Sequence, residues 1–259
     1  MQPSRHSQAL SALVLSTDRL YAEVLRRAAQ AVSPQARILV ANSVQAAVEL
    51  RGKTNFDVVL TGCDPAFESD ILQLVADFTA PESRHPSRVF VVGSHLEYRV
   101  LTALHTLPIR GIFDTATEAP ENLEGALEQV FSGGAYWSAS VGLRVRHTSP
   151  STRDGCEHLS MTEQLVLSVV GDGSDDVTAA QALGLSPATV STIRQKLHRK
   201  LRVQHRGELI RVAAQYGFVR FTQAGIVRPG FSLLAAECLA RKRKRRAVAE
   251  AAMAAFMAA

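Results

Sequence analysis

Residues 187 to 201, PATVSTIRQKLHRKL, carry side chains suited to reading a charged polymer. Val190, Ile193, Leu197 and Leu201 recur at steps of three and four, which predicts a helix that buries this face. Its other face carries Thr189, Ser191, Thr192, Arg194, Gln195, Lys196, Arg199 and Lys200. Hydroxyl and amide groups can pair with base edges, while lysine and arginine neutralise phosphates and supply most of the affinity. The competing reading is an amphipathic bundle helix with a solvated charged face. A second stretch, NFDVVLTGCDP at 55 to 65, has the form of a buried strand that ends at a site. Open α/β sheets place their chemistry just past such strand ends. Here the residues found there are Thr61, Gly62 and Cys63, which are small and mostly unreactive.

The helix at 187 is set up by clear boundary signals. SMTE at 160 to 163 is a capping box, in which Ser160 and Glu163 satisfy each other's backbone amides. It predicts a helix through Val169 that stops near Gly171 or Gly173. Asp175 caps the next helix, DVTAAQAL, which ends at Gly184, a residue able to take the left-handed conformation. Ser186 caps the third, with Pro187 at its first position, where a missing N–H costs nothing. Two short helices joined by a few residues containing glycine make a helix-turn-helix, whose second helix enters the major groove.

The N-terminal half has a different rhythm. SALVLST followed by DRLYAEVLRRAAQAV, with Leu20, Val24 and Leu25 at helical spacing, is a strand and then a helix. The pattern repeats in ARILVANS/VQAAVELRG, FDVVLTG/DILQLVADFT, RVFVVGS/LEYRVLTALHTL and RGIFDTA/ENLEGALEQVFSG. Five βα units predict a five-stranded, doubly wound parallel sheet, because parallel neighbours need crossover helices. No glycine-rich phosphate loop follows the first strand.

Composition bounds these readings. A chain of 259 residues, 46% hydrophobic, has room for two domains with separate cores. Residues 1 to 140 hold 11 Lys or Arg against 15 Asp or Glu, and residues 141 to 259 hold 18 against 9, so a net −4 and a net +9 make up the overall +5. The basicity belongs to the C-terminal half, as for a nucleic-acid-binding module attached to a regulatory one, although a membrane surface would attract the same charge. No apolar run is long enough to span a bilayer and the N-terminus does not read as a secretory signal, so a cytoplasmic protein without membrane association is expected. Cys63, Cys156 and Cys238 are odd in number and widely spaced, which suggests neither a disulfide framework nor a paired zinc site. Cys156 and His158 form a lone CxH pair, which is usually incidental.

From Leu159 to Phe218 the chain closely resembles the LuxR-type helix-turn-helix of the NarL/FixJ response-regulator family. Glu163, Val166, Leu167, Gly173, Ala180, Leu183, Gly184, Leu185, Ser186, Thr189, Val190, Lys200, Leu201, Val203, Arg206 and Glu208 all fall at that domain's spacing. The resemblance implies four helices, with the third in the major groove and the last, around Arg206 to Tyr216, in a dimer contact. It places Ser191, Thr192 and Gln195 at base edges, and Thr189, Arg194, Lys196, Arg199 and Lys200 at phosphates. Ser191 departs from the pattern, since lysine is frequent there.

The same family implies a flavodoxin-like receiver before this module. A phosphorylatable receiver holds Mg²⁺ with two acids after its first strand and accepts a phosphoryl group on an Asp ending the third. A Ser or Thr follows the fourth strand and a Lys follows the fifth. Aligned on that pattern, this chain has Ser16 and Thr17 for the acids, with Asp18 one place late. Gly62 stands for the phosphoacceptor, Gly93 or Ser94 for the Ser/Thr, and no lysine follows the fifth strand. A residue without a side chain cannot be phosphorylated, and Asp64, two residues on, reads as a turn residue before Pro65. A degenerate receiver, without Asp phosphorylation and without a metal or other cofactor, is therefore expected. It could persist as a dimerisation and packing scaffold. Alternatively, Ser16, Thr17, Thr61 and Ser94 could line a pocket for a small molecule or partner. A redox role for Cys63 has little support, because no Lys, Arg or His adjoins it in sequence to favour the thiolate.

The expected organisation is a receiver-like domain at 1–132, a Gly/Ser/Thr-rich linker at 133–158, the helix-turn-helix domain at 159–220 and an extension at 221–259. The extension holds six consecutive basic residues, Arg241 to Arg246, then an Ala-rich stretch of high helix propensity. Non-specific phosphate contact is the role expected of that run. The whole reads as a homodimeric transcriptional regulator acting on double-stranded DNA. The competing class is a protein-interaction factor that sequesters another regulator or contacts RNA polymerase.

Overall fold

Strand β1 (Ser11–Leu15) is apolar on both faces and buried on both, which a parallel sheet covered by helices on each side requires. In the computed structural model, which describes residues 10–62, 71–80, 85–94, 96–141, 158–223, 225–241 and 243, it lies inside a six-stranded parallel sheet. The other strands are β2 (Arg37–Ala41), β3 (Val58–Thr61), β4 (Arg88–Gly93), β5 (Gly111–Asp114) and β6 (Tyr136–Trp137), in the order β2-β1-β3-β4-β5-β6. Helices α1 (Arg19–Val32), α2 (Val44–Lys53), α3 (Ile71–Thr79), α4 (Tyr98–Thr106) and α5 (Asn122–Phe131) make the crossovers. Alternate strand residues, among them Ala12, Val14, Leu60, Phe90 and Val92, pack against α1 and α5 on one face. On the other face α3 packs beside both α2 and α4, so the sheet is doubly wound.

Two expectations change. The sheet has six strands, not five, because Tyr136 and Trp137 of the stretch read as linker pair with Gly111 and Ile112. Two residues are too few to show a period, and only the pairing defines them. Gly111, at φ 136, permits it: a Cβ there would lie 1.7 Å from the Tyr136 carbonyl oxygen. The second change concerns α1, whose core face is Ala22, Leu25 and Ala29, while Leu20 is 76% and Val24 48% exposed. Helical spacing made all three large residues eligible for one stripe, and the small alanines took the side next to the sheet.

The chain divides into two units, Met1–Ser149 and Pro150–Ala259. The second contains α6 (Met161–Val170), α7 (Asp176–Leu183), α8 (Pro187–Leu201) and α9 (Arg206–Gln215), followed by an antiparallel hairpin, β7 (Arg220–Thr222) and β8 (Gly225–Val227). A further helix occupies 231–241. The extension therefore begins as folded structure. Phe218 and Val219 are fully buried, Val227, Leu234 and Cys238 are buried, and Arg228 donates from Nε to the Ser168 carbonyl at 2.9 Å while pairing with Asp172. Most of the expected linker, Cys63, Asp64, Pro65, Cys156, Lys242, Lys244 to Arg246 and the Ala-rich end lie outside the described residues. Among the described residues no helix is long and apolar enough to cross a membrane.

Candidate nucleic-acid interface

The interface is built from its caps. Ser160 Oγ accepts from the Glu163 amide at 3.3 Å and Glu163 Oε2 accepts from the Ser160 amide at 2.7 Å, so the capping box that starts α6 is complete. Asp175 Oδ1 accepts from the Thr178 amide at 2.7 Å to start α7, which ends at Gly184 with φ 61. Two residues later Ser186 Oγ accepts from the Thr189 amide at 3.1 Å, and α8 begins with Pro187 at its first position. Such side-chain caps contribute about 1 kcal/mol each. They fix where α8 starts and hence which of its residues face outwards.

Val190, Ile193 and Leu197 are buried beneath α8, and Leu201 only partly so. At about 100° per residue, Thr192, Gln195 and Arg199 then fall within about 60° of one another on the opposite side. All three are exposed, as are Thr189 and Lys196 on one flank, whereas Ser191 on the other flank is half-buried. The Thr192 hydroxyl donates to the Ala188 carbonyl at 2.9 Å, and the Thr189 and Ser186 hydroxyls share a hydrogen bond of 2.8 Å. These hydroxyls are thus held by bonds within the helix and its cap.

Arg194 and Lys200 sit differently. Both border the buried stripe, one on each side, and each meets an acid of a neighbouring helix. Arg194 pairs with Asp176 at the start of α7, with about a fifth of each side chain exposed. Lys200 Nζ donates to Glu163 Oε2 at 2.7 Å and to the His158 carbonyl at 2.9 Å. Burial pushes the Glu163 carboxyl up, but Lys200 and the Ser160 amide and hydroxyl outweigh it and hold the group below its usual range. Glu163 was legible as a cap; that the same carboxylate also takes Lys200 was not, because the two are 37 residues apart. Glu163, Lys196, Arg199 and Lys200 line an open groove of about 470 Å³ with three cations and one carboxylate, a charge balance that favours an anion.

The far end of α8 closes on Arg202, which takes φ 55 and is the one non-glycine residue with positive φ among those described. The Val203 amide donates to the His198 carbonyl at 3.0 Å, and the His198 ring Nδ1 meets the Val203 carbonyl at 3.0 Å. His205 then caps α9 by accepting from the Glu208 amide at 3.3 Å, while Glu208 Oε2 accepts from the Gln204 amide at 2.6 Å. A histidine in this place carried no cap signal in the sequence.

At the strand ends of the first domain the aligned residues are engaged locally. Ser16 is buried and its hydroxyl accepts from the Asp18 amide at 3.2 Å. Asp18 caps α1, accepting from the Leu20 and Tyr21 amides at 2.8 and 3.1 Å. Thr17 is half-buried beside it. Gly62 follows β3 with its amide donating to the Leu15 carbonyl at 3.4 Å, and the Thr61 hydroxyl donates to the Gly62 carbonyl at 3.0 Å. Ser94 is exposed after β4. The sequence drew no attention to Asp114, which ends β5 and is buried. Its carboxylate accepts from Ser140 Oγ at 2.8 Å and from the Ala116 amide at 3.1 Å, and its amide donates to Ser138 Oγ at 2.9 Å. These bonds tie the segment after β6 to the sheet. Among the described residues no group of three or more His, Cys, Asp or Glu side chains is placed to hold a metal ion.

Residues 157–213 match the family of bacterial regulatory proteins described as luxR (GerE). The chain is 29% identical over 140 residues to the transcriptional regulatory protein MctR of Rhizobium johnstonii, across 51% of this chain and 61% of the relative. It thus spans less than two thirds of that relative's length. Among solved structures it is similar to RcsB from Salmonella enterica serovar Typhimurium bound to promoter P1flhDC in the presence of a phosphomimetic, with a TM-score of 0.54 and 18% identity. That match covers 80% of this chain and 99% of the other. A structure of two RcsB dimers bound to two parallel DNAs is similar with a TM-score of 0.51 and 17% identity, over 80% of this chain and 99% of the other. At such identity the likeness shows the fold alone. With the match over 157–213 and the fold of both units, the C-terminal module of this chain is a helix-turn-helix domain of the luxR family, carried behind a receiver-like parallel α/β domain.

Proposed function

We propose that this protein is a DNA-binding transcriptional regulator that reads operator DNA with α8, acts as a homodimer on two-fold related sites, and is not controlled by aspartate phosphorylation. The observation that carries the reading is the outward stripe of Thr192, Gln195 and Arg199, flanked by Thr189 and Lys196, on a helix whose start is fixed by caps and whose other face is buried. Hydroxyl, amide and guanidinium groups are the types that pair with base edges and phosphates in a major groove. Ser191 and Gln195 serve base reading in this proposal. Arg194 and Lys200 chiefly hold α8 in position, with Lys200 also adding charge to the groove. The family of residues 157–213, the name of MctR and the DNA-bound RcsB structures support the reading.

For the receiver-like domain, Gly62 at the phosphoacceptor place and Asp18 engaged as a helix cap support the absence of aspartate phosphotransfer. The domain then serves as a packing and dimerisation scaffold.

The test is retention of sheared genomic DNA by the intact chain, followed by sequencing of the bound fragments. A restricted set of fragments sharing a two-fold related sequence is expected. Retention without selectivity, even at low salt, would leave the sequestering or polymerase-contacting role as the better account.

A further inference from the structure

The basic run at 241–246 does not start in a free tail. Its first residue, Arg241, lies in a helix from 231 whose Leu234 and Cys238, one turn apart, are buried, and the segment leading into that helix is fastened by Arg228 to Ser168 and Asp172. Asp172 lies three residues before Asp175, the cap of α7, so the anchor adjoins the first helix of the helix-turn-helix. Gly171, next to it, has no room for a side chain: a Cβ would lie 2.4 Å from that of Ala213 and 3.2 Å from Val219. The junction of α6, α9 and the residues that lead into β7 is therefore closely packed. Arg241 and Arg243 are helical and exposed, and Glu237, which pairs with Arg241 at 3.0 Å, is itself half exposed. An exposed i,i+4 pair is worth only about 0.3–0.5 kcal/mol, so a phosphate competes with it readily.

Residues two apart on a helix point about 200° apart, so Arg241 and Arg243 show positive charge on nearly opposite sides. We infer that the helix from 231 that carries the exposed Arg241 and Arg243 is a second DNA-contacting element, held at a set position on the helix-turn-helix domain, which engages the phosphate backbone flanking the operator. It differs from a flexible polybasic tail in giving a contact at a defined distance from the site read by α8. The inference rests on the proposed reading of α8.

The test is hydroxyl-radical footprinting of the full chain on a fragment selected from genomic DNA, with affinities taken across a range of salt. Two variants are compared with the parent. Arg241→Ala/Arg243→Ala removes charge, and a Gly-Ser-Gly-Ser insertion between Ala240 and Arg241 keeps every charge but frees the run from the helix beyond its buried residues. The parent is expected to protect a discrete flanking patch besides the central one. The double substitution should erase that patch and lower the salt slope by up to about 2, at roughly 0.9 per phosphate lost. The insertion should blur the patch while the central protection persists. An unchanged footprint and slope in the double variant, or an unchanged flanking patch in the insertion variant, would overturn the inference while leaving α8 as the reader. A parent chain with no central footprint would remove the reading of α8 and the inference together.

Discussion

Lys200 Nζ lies 2.7 Å from Glu163 Oε2, so the last turn of α8 is tied to the capping box that begins α6. A cation aligned with phosphate contacts thus holds the domain together. Lys200→Met should lower the domain's stability by about 1–2 kcal/mol, the upper part of the charged hydrogen-bond range being discounted because Lys200 is 39% exposed. Lys196→Met, on the exposed flank of α8, should leave the stability within about 0.5 kcal/mol of the parent. Thermal unfolding of the two variants side by side decides. Equal midpoints would show that the Lys200 pair contributes nothing.

The same pair makes stability depend on acid. Burial raises the Glu163 carboxyl, while Lys200 and Ser160 lower it further, so its folded value is depressed relative to the unfolded chain. A depressed carboxyl contributes stability that is fully present above its unfolded value and lost as pH falls through the folded one. Unfolding followed from pH 7 down to pH 3 should show this loss beginning as the pH enters the ordinary glutamate range and continuing below it. Glu163→Gln should be less stable at pH 7 and flatter below it. A variant with the parent's pH profile would remove Glu163 as the cause.

On the outward face of α8, different residues should fail differently. Gln195→Ala should relax discrimination at one base position by about 1–3 kcal/mol with little change in salt dependence. Arg199→Ala should weaken binding to all sequences alike and reduce the salt slope by about 0.9. Competition assays with single-base operator variants, repeated at several salt concentrations, separate the two. Identical behaviour of both variants would count against a base-reading role for Gln195.

In the first domain, Gly111→Ala tests the sixth strand. The added Cβ would lie 1.7 Å from the Tyr136 carbonyl, and the backbone stands at φ 136, so β6 must leave its place or the strand must distort. A loss of more than about 2 kcal/mol is expected. Release of β6 should also raise amide exchange at Ser138, whose amide donates to the Ile112 carbonyl at 2.9 Å. Parent-like stability and exchange would show that β6 contributes nothing to the fold.

Incubation of the chain with a small-molecule phosphodonor and Mg²⁺ should leave its mass unchanged, since Gly62 offers no carboxylate. A stable acyl-phosphate mapped to a residue near Gly62 would overturn the proposal that phosphorylation has been lost.

Local chemistry made much of this protein legible in its sequence. Ser160 with Glu163, Ser186 with Pro187, and Gly184 signal helix ends through bonds that span at most a few residues. The βα rhythm follows from apolar periodicity. The tertiary structure decided what depends on distant partners. Arg194 and Lys200 belong to the basic face of α8 by composition, yet each borders the buried stripe and meets an acid on another helix, Asp176 or Glu163. Tyr136 and Trp137 carry no period of their own and become a strand because Gly111 lets them approach. Asp114 has its Ser140 and Ser138 partners 26 and 24 residues away, and Arg228 meets Asp172 across 56 residues. Periodicity and capping report on a residue's immediate neighbours, whereas ion pairs, edge strands and the anchoring of the C-terminal helix exist only once the chain has brought those partners together.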